Sequence, residues 1–214
     1  DYIFGFSNEL NAEATYYNNT VSVDGGSSPS DRIITGISDQ SGYSVTCNYY
    51  YNSVNVYGTS SGVNNTYAFS RIFYVETILN LKNNVFSNSR VAAGTGASIA
   101  LSNEGSATGW DANASNYNAL YSLNNSTMTQ WGATVSDLSG FQSASGGDAF
   151  TLAGNPGFTS NTNLLPDGTN ENCWTLKGNG IAISYIGADI NGNPRSTSVV
   201  NGGTDIGAYE FPVS

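Results

Sequence analysis

The side chains of this chain that could do chemistry are its carboxylates, two thiols and a few cations, because histidine is absent. Without an imidazole, Ser-His-Asp and Cys-His nucleophilic systems and His-ligated metal centres are excluded. No phosphate-cradling glycine loop precedes a helical pattern. Carbohydrate cleavage is the enzymatic chemistry left open. Glycoside hydrolysis needs two carboxyl groups about 5–10 Å apart, and lysis needs a base with a cation to neutralise charge. Glu76, Glu104 and Asp111 are acids that stacked segments would bring together. The chain holds 16 acidic and only 6 basic residues, none of the latter clustered, for a net charge of −10. An acidic polysaccharide would be repelled, and nucleic acid and anionic membrane surfaces are disfavoured for the same reason.

Two readings compete near the C-terminus. Asp189-Ile190-Asn191-Gly192-Asn193 sets a carboxylate and two amides in a short loop, so Asp189, Asn191 and Asn193 are candidate Ca²⁺ ligands, although the downstream bidentate Glu of such loops is missing. In the other reading Asp189, Asp205 and Glu210 gather around Arg195 and pin the terminal segment as a structural cap over the open end of the fold. Of the two cysteines, Cys47 lies in the alternating Ser44-Val45-Thr46-Cys47-Asn48 and reads as a buried thiol. A bridge to the distant Cys173 is open to an exported protein, but two cysteines do not make a disulfide scaffold.

Aromatic and amide side chains point to a different chemistry. Tyr16, Tyr17, Tyr49, Tyr50 and Tyr51 occupy equivalent strand starts. An exposed ladder of them, chiefly Tyr16, Tyr17, Tyr50 and Tyr51, would stack on sugar rings while Asn, Ser and Thr hydrogen-bond to hydroxyls. The competing reading packs these rings alternately into the core and onto the outer face.

The elements that must hold these residues are short strands. Charged residues make up 10% of the chain and hydrophobic residues 39%, which is not a disorder composition. Helix formers are scarce, and β-branched and aromatic residues abound. Tyr17-Asn18-Asn19-Thr20-Val21-Ser22-Val23 matches Tyr50-Tyr51-Asn52-Ser53-Val54-Asn55-Val56, with Thr20 on Ser53. Laying Asn84 and then Ala119 on the same place gives offsets of 33, 31 and 35 residues. A fixed period in this range marks a solenoid. The segments between copies read as further strands, such as 32–37, 71–75 and 78–81, separated by Gly/Ser/Asn turns.

One repeat is therefore one coil of about 31–35 residues in an all-β, right-handed parallel β-helix with long loops and a C-terminal capping segment. Five or six coils at ~4.8 Å would stand roughly 25–30 Å tall. Val21/Val23, Val54/Val56 and Leu79/Leu81 point inward. Asn18, Asn19, Asn52, Asn83, Asn84 and Asn118 supply left-handed turns and side-chain hydrogen bonds between coils. The chain is expected to form a single domain over residues 1–214, with regular coils over 1–93, irregular loop-rich coils over 94–154, and terminal coils and cap over 155–214. Residues 128–138 have the length for a short helix, but their apolar spacing does not follow a helical period.

The ordered series Asn155-Pro156-Gly157-Phe158, Cys173-Trp174-Thr175-Leu176-Lys177-Gly178-Asn179-Gly180-Ile181-Ala182, Asp189–Arg195 and Gly202-Gly203-Thr204-Asp205-Ile206-Gly207-Ala208-Tyr209-Glu210-Phe211 resembles the last coils of bacterial secreted and cell-surface parallel β-helix repeat proteins of the Bacteroidetes/Chlorobi type. The Ser-Pro that commonly precedes Ile181-Ala182 is missing here. The resemblance implies an exported surface protein, adhesive or structural, and is silent about activity. No apolar run is long enough for a membrane span, and no signal peptide is present; the strand-like start at residues 2–6 reads as a processed chain or a piece of a longer one. The expected function is a non-enzymatic extracellular structural or adhesive protein. Its expected partners are copies of itself, in a fibre or sheath, or glycans. A carbohydrate-binding module is the first alternative, and a polysaccharide lyase or glycoside hydrolase the second.

Overall fold

Asparagine decides where this chain turns. Asn19, Asn52, Asn84 and Asn118 lie 33, 32 and 34 residues apart. The residue before each is left-handed: Asn18 at φ 55°, Tyr51 at 54°, Asn83 at 59° and Tyr117 at 56°. Asn tolerates that conformation at little cost, whereas Tyr does so only under tertiary constraint. The computed structural model describes the chain apart from residues 1, 10–11, 27–31, 43–44, 73–76, 106–109, 111–112 and 199–202.

The result is a parallel β-helix of four coils. The first contains β1 (Tyr2–Asn8), β2 (Ala14–Tyr17) and β3 (Thr20–Asp24). The second contains β4 (Ile33–Asp39), β5 (Thr46–Tyr50) and β6 (Ser53–Tyr57), followed by the short β7 (Thr59–Ser60). The third contains β8 (Thr66–Arg71), β9 (Ile78–Lys82), β10 (Val85–Asn88) and β11 (Val91–Ala92), and the fourth β12 (Ser98–Asn103), β13 (Ser115–Asn116) and β14 (Ala119–Ser122). A hairpin of β15 (Thr129–Trp131) and β16 (Thr134–Ser136), helix α1 (Leu138–Ser145) and β17 (Leu152–Ala153) follow. First, second and third strands of successive coils stack in three separate sheets, in the orders β1-β4-β8-β12-β15-β16, β2-β5-β9-β13 and β3-β6-β10-β14-β17.

Inward positions fill the column. Val21, Val54, Phe86 and Leu120 share one register line, and the last three are fully buried. An aromatic stack runs beside them: Phe6–Tyr16 at 4.8 Å between centroids, Tyr16–Tyr49 at 5.1 Å, Tyr49–Phe69 at 5.2 Å and Phe69–Phe86 at 5.1 Å. The hairpin and α1 close the fourth-coil end. Trp110, Trp131 and Phe141 meet edge to face there at 5.5–5.8 Å, and Asp137 caps α1 by accepting from the Gly140 N–H at 2.8 Å.

Four expectations need correction. Val85, not Asn84, lies beside Ser53, so the third copy is one residue out of the alignment read from sequence. The slip matters because a one-residue shift exchanges the faces of a strand. Strands β12, β13 and β14 stack in register on the third coil, inside the stretch expected to be irregular. Residues 129–136 form the hairpin, and the helix follows at Leu138–Ser145 once Asp137 supplies a cap. Among the described residues no strand follows Ala153, so the column has four coils rather than five or six, and residues 155–214 wrap it instead of adding to it.

The ladder binds coil to coil. The backbone N–H and Nδ2 of Asn19 both donate to Asn52 Oδ1, at 3.1 and 2.8 Å. Asn52 donates likewise to Asn84 Oδ1, at 3.0 and 2.9 Å, and Asn84 to Asn118 Oδ1, at 2.9 and 3.0 Å. Each of the lower three also returns an Nδ2 hydrogen bond to the backbone, Asn84 to the Tyr49 carbonyl at 2.8 Å. A buried polar group left without its partner costs ~1–3 kcal/mol. Asn84→Ala removes the acceptor of both Asn52 donors and the Nδ2 that serves the Tyr49 carbonyl, leaving Asn118 Oδ1 only the backbone N–H of residue 84, and should lower unfolding free energy by about 3 kcal/mol or more. Urea denaturation checks this; a loss below about 1 kcal/mol would show that the ladder does not hold the coils.

Candidate functional site

Arg195 lies at the centre of a polar network that joins the C-terminal segment to the column. Its Nη1 pairs with Glu210 Oε1 at 3.1 Å. Its Nη2 donates to Asn18 Oδ1 at 2.7 Å and to the Gly207 carbonyl at 3.0 Å. The guanidinium carbon lies 3.7 Å from the Tyr51 ring centroid, a close cation–π contact. Two of these partners, Asn18 and Tyr51, are left-handed corner residues of the first two coils, so the cation ties the C-terminal wrap to the turns of the column.

The sequence placed the right residues together in the wrong place. The wrap lies along the side of the column, over the corner after β2 and β5 and the outer face of the β3-β6-β10-β14-β17 sheet, not over an open end. Ile206, Phe211, Leu176 and Cys173 pack on Val85 and Ala119 of that sheet. Ala208 N–H donates to Ser53 Oγ at 3.0 Å, and Gly207 N–H to the Asn83 carbonyl at 2.8 Å. Gly207 has φ +99°, and a Cβ there would stand 2.7 Å from Ser53 Oγ and 2.9 Å from Val85 Cγ2. Only glycine lets the wrap come this close.

Of the expected acids only Glu210 ion-pairs with Arg195. Asp205 instead pairs with Lys177 at 3.1 Å and accepts from the Gly178 and Phe211 N–H groups. Asp189 accepts four N–H donors: Asn191 N and Asn193 N on Oδ1, and Asn193 Nδ2 and Glu210 N on Oδ2, at 2.8–3.0 Å. Burial works to raise the Asp189 carboxyl, and these donors outweigh it, holding it below the ordinary Asp range. The Asp189 oxygens weighed as Ca²⁺ ligands are thus turned onto the loop's amides and the Glu210 N–H. Among the described residues no group of three or more His, Cys, Asp or Glu is placed to hold a metal ion.

A second polar cluster is sealed inside the column. Asn8, Asp39, Arg71 and Asn103 share one register line, and all four are buried. Asn8 Nδ2 reaches Tyr49 Oη at 3.1 Å and Cys47 Sγ at 3.4 Å. Burial pushes the Cys47 thiol and the Asp39 carboxyl above their ordinary values. A protonated thiol shielded from solvent is not a nucleophile. The Cys47–Cys173 bridge does not form: both thiols are free, in different clusters. Glu104 accepts from Ser70 Oγ at 3.4 Å, while Glu76 and Asp111 lie outside the described residues.

The exposed tyrosine ladder does not form either. Tyr16 stacks between Phe6 and Tyr49 and donates to Asn8 Oδ1. Tyr50 is buried beneath Tyr185, and Tyr51 beneath Arg195. Tyr17 alone is open to solvent, at 49% exposure. The aromatic and amide chemistry surfaces instead in a groove of about 200 Å³ between the wrap and the β6-β10-β14 face, lined by Asn55, Ser87, Tyr121, Asn155, Phe158 and Asn161. Tyr121 continues the outward row of Ser22, Asn55 and Ser87, so half of this groove was readable from the repeat. The half contributed by the wrap was not.

No protein-family model, curated protein or solved structure matches the chain. No described helix is long and apolar enough to cross a membrane.

Two outcomes follow from these networks. Breaking a buried, hydrogen-bonded ion pair costs ~3–5 kcal/mol, so Arg195→Leu should release the wrap and expose residues 178–211 to limited proteolysis while the column stays protected. Cleavage no faster than in the wild type would show that Arg195 is not the tie. Asp148 is fully buried; its Oδ1 accepts from Ser115 and Thr151 hydroxyls, and its Oδ2 has no partner. Burial raises its carboxyl above the ordinary value against those hydroxyl donors. Its contribution to stability is therefore full below the unfolded-state pKa of about 3.8 and is lost as pH rises through the higher folded-state value. Asp148→Asn should raise Tm at pH 7 but not at pH 3.5; an equal shift at both would remove this carboxyl as the source.

Proposed function

We propose that the chain is a structural or adhesive column of a bacterial extracellular surface protein rather than an enzyme. The observation that carries this reading is where the reactive groups go. Lys177, Asp189, Asp205 and Glu210 are engaged in holding the wrap together and Arg195 in tying it to the column, and Asp39, Cys47 and Arg71 are enclosed in its core. What faces outward is largely neutral amide and hydroxyl, as in the Thr15, Asn48 and Asn80 row, where Asn80 donates to Asn48 and Asn48 to Thr15. Such a surface suits adhesion through many weak neutral contacts. The resemblance of the C-terminal series to secreted β-helix proteins supports the extracellular placement.

A carbohydrate-binding role is favoured by one specific feature, the groove at Tyr121. Its lining carries no charge, and aromatic faces beside amides are the usual recognition surface for neutral sugars.

Displayed on an inert outer-membrane anchor, the chain should increase attachment of cells to glycan-coated surfaces several-fold over the anchor alone. No increase on any coating would remove the adhesive reading. In the same assay Tyr121→Ala separates the two readings: a stacking contact is worth ~0.5–1.5 kcal/mol beyond area burial, so a sugar-binding groove predicts a loss of about 3- to 10-fold, and adhesion spread over the outer faces predicts little change.

A further inference from the structure

The two ends of the column are chemically different. At the fourth-coil end every ladder group is taken: Asn118 N–H donates to Thr151 Oγ1 at 3.2 Å, and its Nδ2 to the Leu81 carbonyl at 2.9 Å and Ser115 Oγ at 3.2 Å. Phe150 stacks on Tyr117 at 5.0 Å, and β17 covers the edge of β14. At the first-coil end β1, β2 and β3 each form the edge of their sheet, so three consecutive sides expose unpaired backbone groups at the same level.

The core is open at that end as well. A cavity of about 220 Å³ is lined by Gly5, Phe6, Tyr16, Asn19, Val21 and Ile37. Phe6, Tyr16 and Val21 are only partly buried, whereas their counterparts one coil deeper, Ile37, Tyr49 and Val54, are at most 2% exposed. The ladder ends here with one polarity. Asn19 spends its N–H and Nδ2 on Asn52, and no described donor reaches its Oδ1. Of the described residues of the first coil, Glu9, Glu13 and Asp24 are acidic and exposed, and none is Lys or Arg.

We propose that this open end is a docking site for a strand-forming, cationic segment of another protein, which continues the coil stack. The segment would carry the pattern that the column itself uses at this interface, an aromatic three residues before a ladder Asn and an apolar residue two after it, as in Tyr49, Asn52 and Val54. Its Asn N–H and Nδ2 satisfy Asn19 Oδ1, its apolar side chains fill the cavity, and basic flanks answer the acidic rim. A second copy of this chain is the wrong occupant in either orientation. Face to face it sets Asn19 acceptor against acceptor and acid against acid, and head to tail it offers an end whose donors are already used. The coil–coil contact between the first and second coils thus continues outward to a partner that supplies donors, a form of β-strand addition.

This proposal rests on reading the chain as a structural column, and its test is independent of the adhesion assay because it reads the open end alone. The probe is a synthetic peptide of residues 49–56 (Tyr-Tyr-Tyr-Asn-Ser-Val-Asn-Val) with two lysines at each end, titrated into the ¹⁵N-labelled chain. Saturable shifts confined to Gly5, Phe6, Tyr16, Asn19, Val21 and their strands are expected. Replacing the peptide's ladder Asn by Ala, or its lysines by glutamates, should weaken binding at least 10-fold. Val21→Arg, at a partly exposed position, should block the cavity and abolish the shifts while the spectrum of the remaining coils is preserved. No binding, equal binding of a scrambled peptide, or shifts elsewhere would overturn the proposal. So would a dimer or polymer of the chain alone whose interface protects the same residues, since that would make a second copy the occupant.

Discussion

Everything in this fold depends on a side chain being able to repeat, at each coil, what the backbone does in a sheet. A parallel β-helix must turn between its strands, and at a turn the backbone ladder is interrupted. The Asn19–Asn52–Asn84–Asn118 line repairs the interruption, because each amide accepts two N–H donors from one neighbour and donates to the other. The spacing from one rung to the next then fixes the register of the flanking strands. Phe86 sits on Val54, and Leu120 on Phe86, because the amides two residues earlier are locked together.

The ladder also decides what happens outside the column. A rung needs a left-handed residue before it, and the four that precede the rungs turn their side chains toward the outer corner. Three of them are then recruited by the wrap: Asn18 by Arg195 and the Ala188 carbonyl, Tyr51 by Arg195 and the Ile181 carbonyl, and Asn83 by the Ile181 backbone. A strained tyrosine at Tyr51 becomes intelligible in this light: its ring is clamped between the column and a guanidinium that stays charged even when buried. Desolvation opposes the charge on Arg195 and lowers its pKa, and Tyr51 and Glu210 offset only part of this. With so few cations in the chain, this one is placed where the wrap meets the turns of the column.

The parts of this arrangement visible in the sequence were those that repeat. Asn18 and Asn83 were legible as left-handed turns, Asn52 and Asn118 as amides facing their equivalents, and Val54 and Val56 as core. The third copy is misaligned by one residue because Val85 stands where the first two copies carry the hydroxyl residues Thr20 and Ser53, so matching by polarity puts Asn84 in that place. The fourth coil is obscured because β12 ends at Asn103 and β13 begins only at Ser115. The side-on course of residues 155–214 was not legible at all. Asp189, Arg195, Asp205 and Glu210 carry no periodic signal, and whether such a network closes an end or grips a flank depends on where Ser53 and Val85 stand relative to Gly207. That is a tertiary fact. The tyrosines do not form a surface ladder for the same reason, since Tyr50, outward by strand alternation, and Tyr51, at the turn after the strand, look exposed until Tyr185 and Arg195 cover them.

A ladder of amides has a direction that a backbone sheet shares only in part. In each rung the acceptor faces the preceding coil and the donors face the following one, so the stack as a whole presents acceptors at one end and donors at the other. The hairpin, α1 and the Asp148–Thr151 turn consume the donor end, with Thr151 Oγ1 standing in for the oxygen of a fifth asparagine. Growth at that end is stopped by chemistry as well as by bulk. The acceptor end keeps its three strand edges and an unroofed aromatic stack under an acidic rim. An isolated column of this kind would be expected to add copies of itself indefinitely if its ends matched. On the docking proposal, the donor end is consumed and the acceptor end is acidic, so the column is extended at that end by a partner that supplies donors and cations.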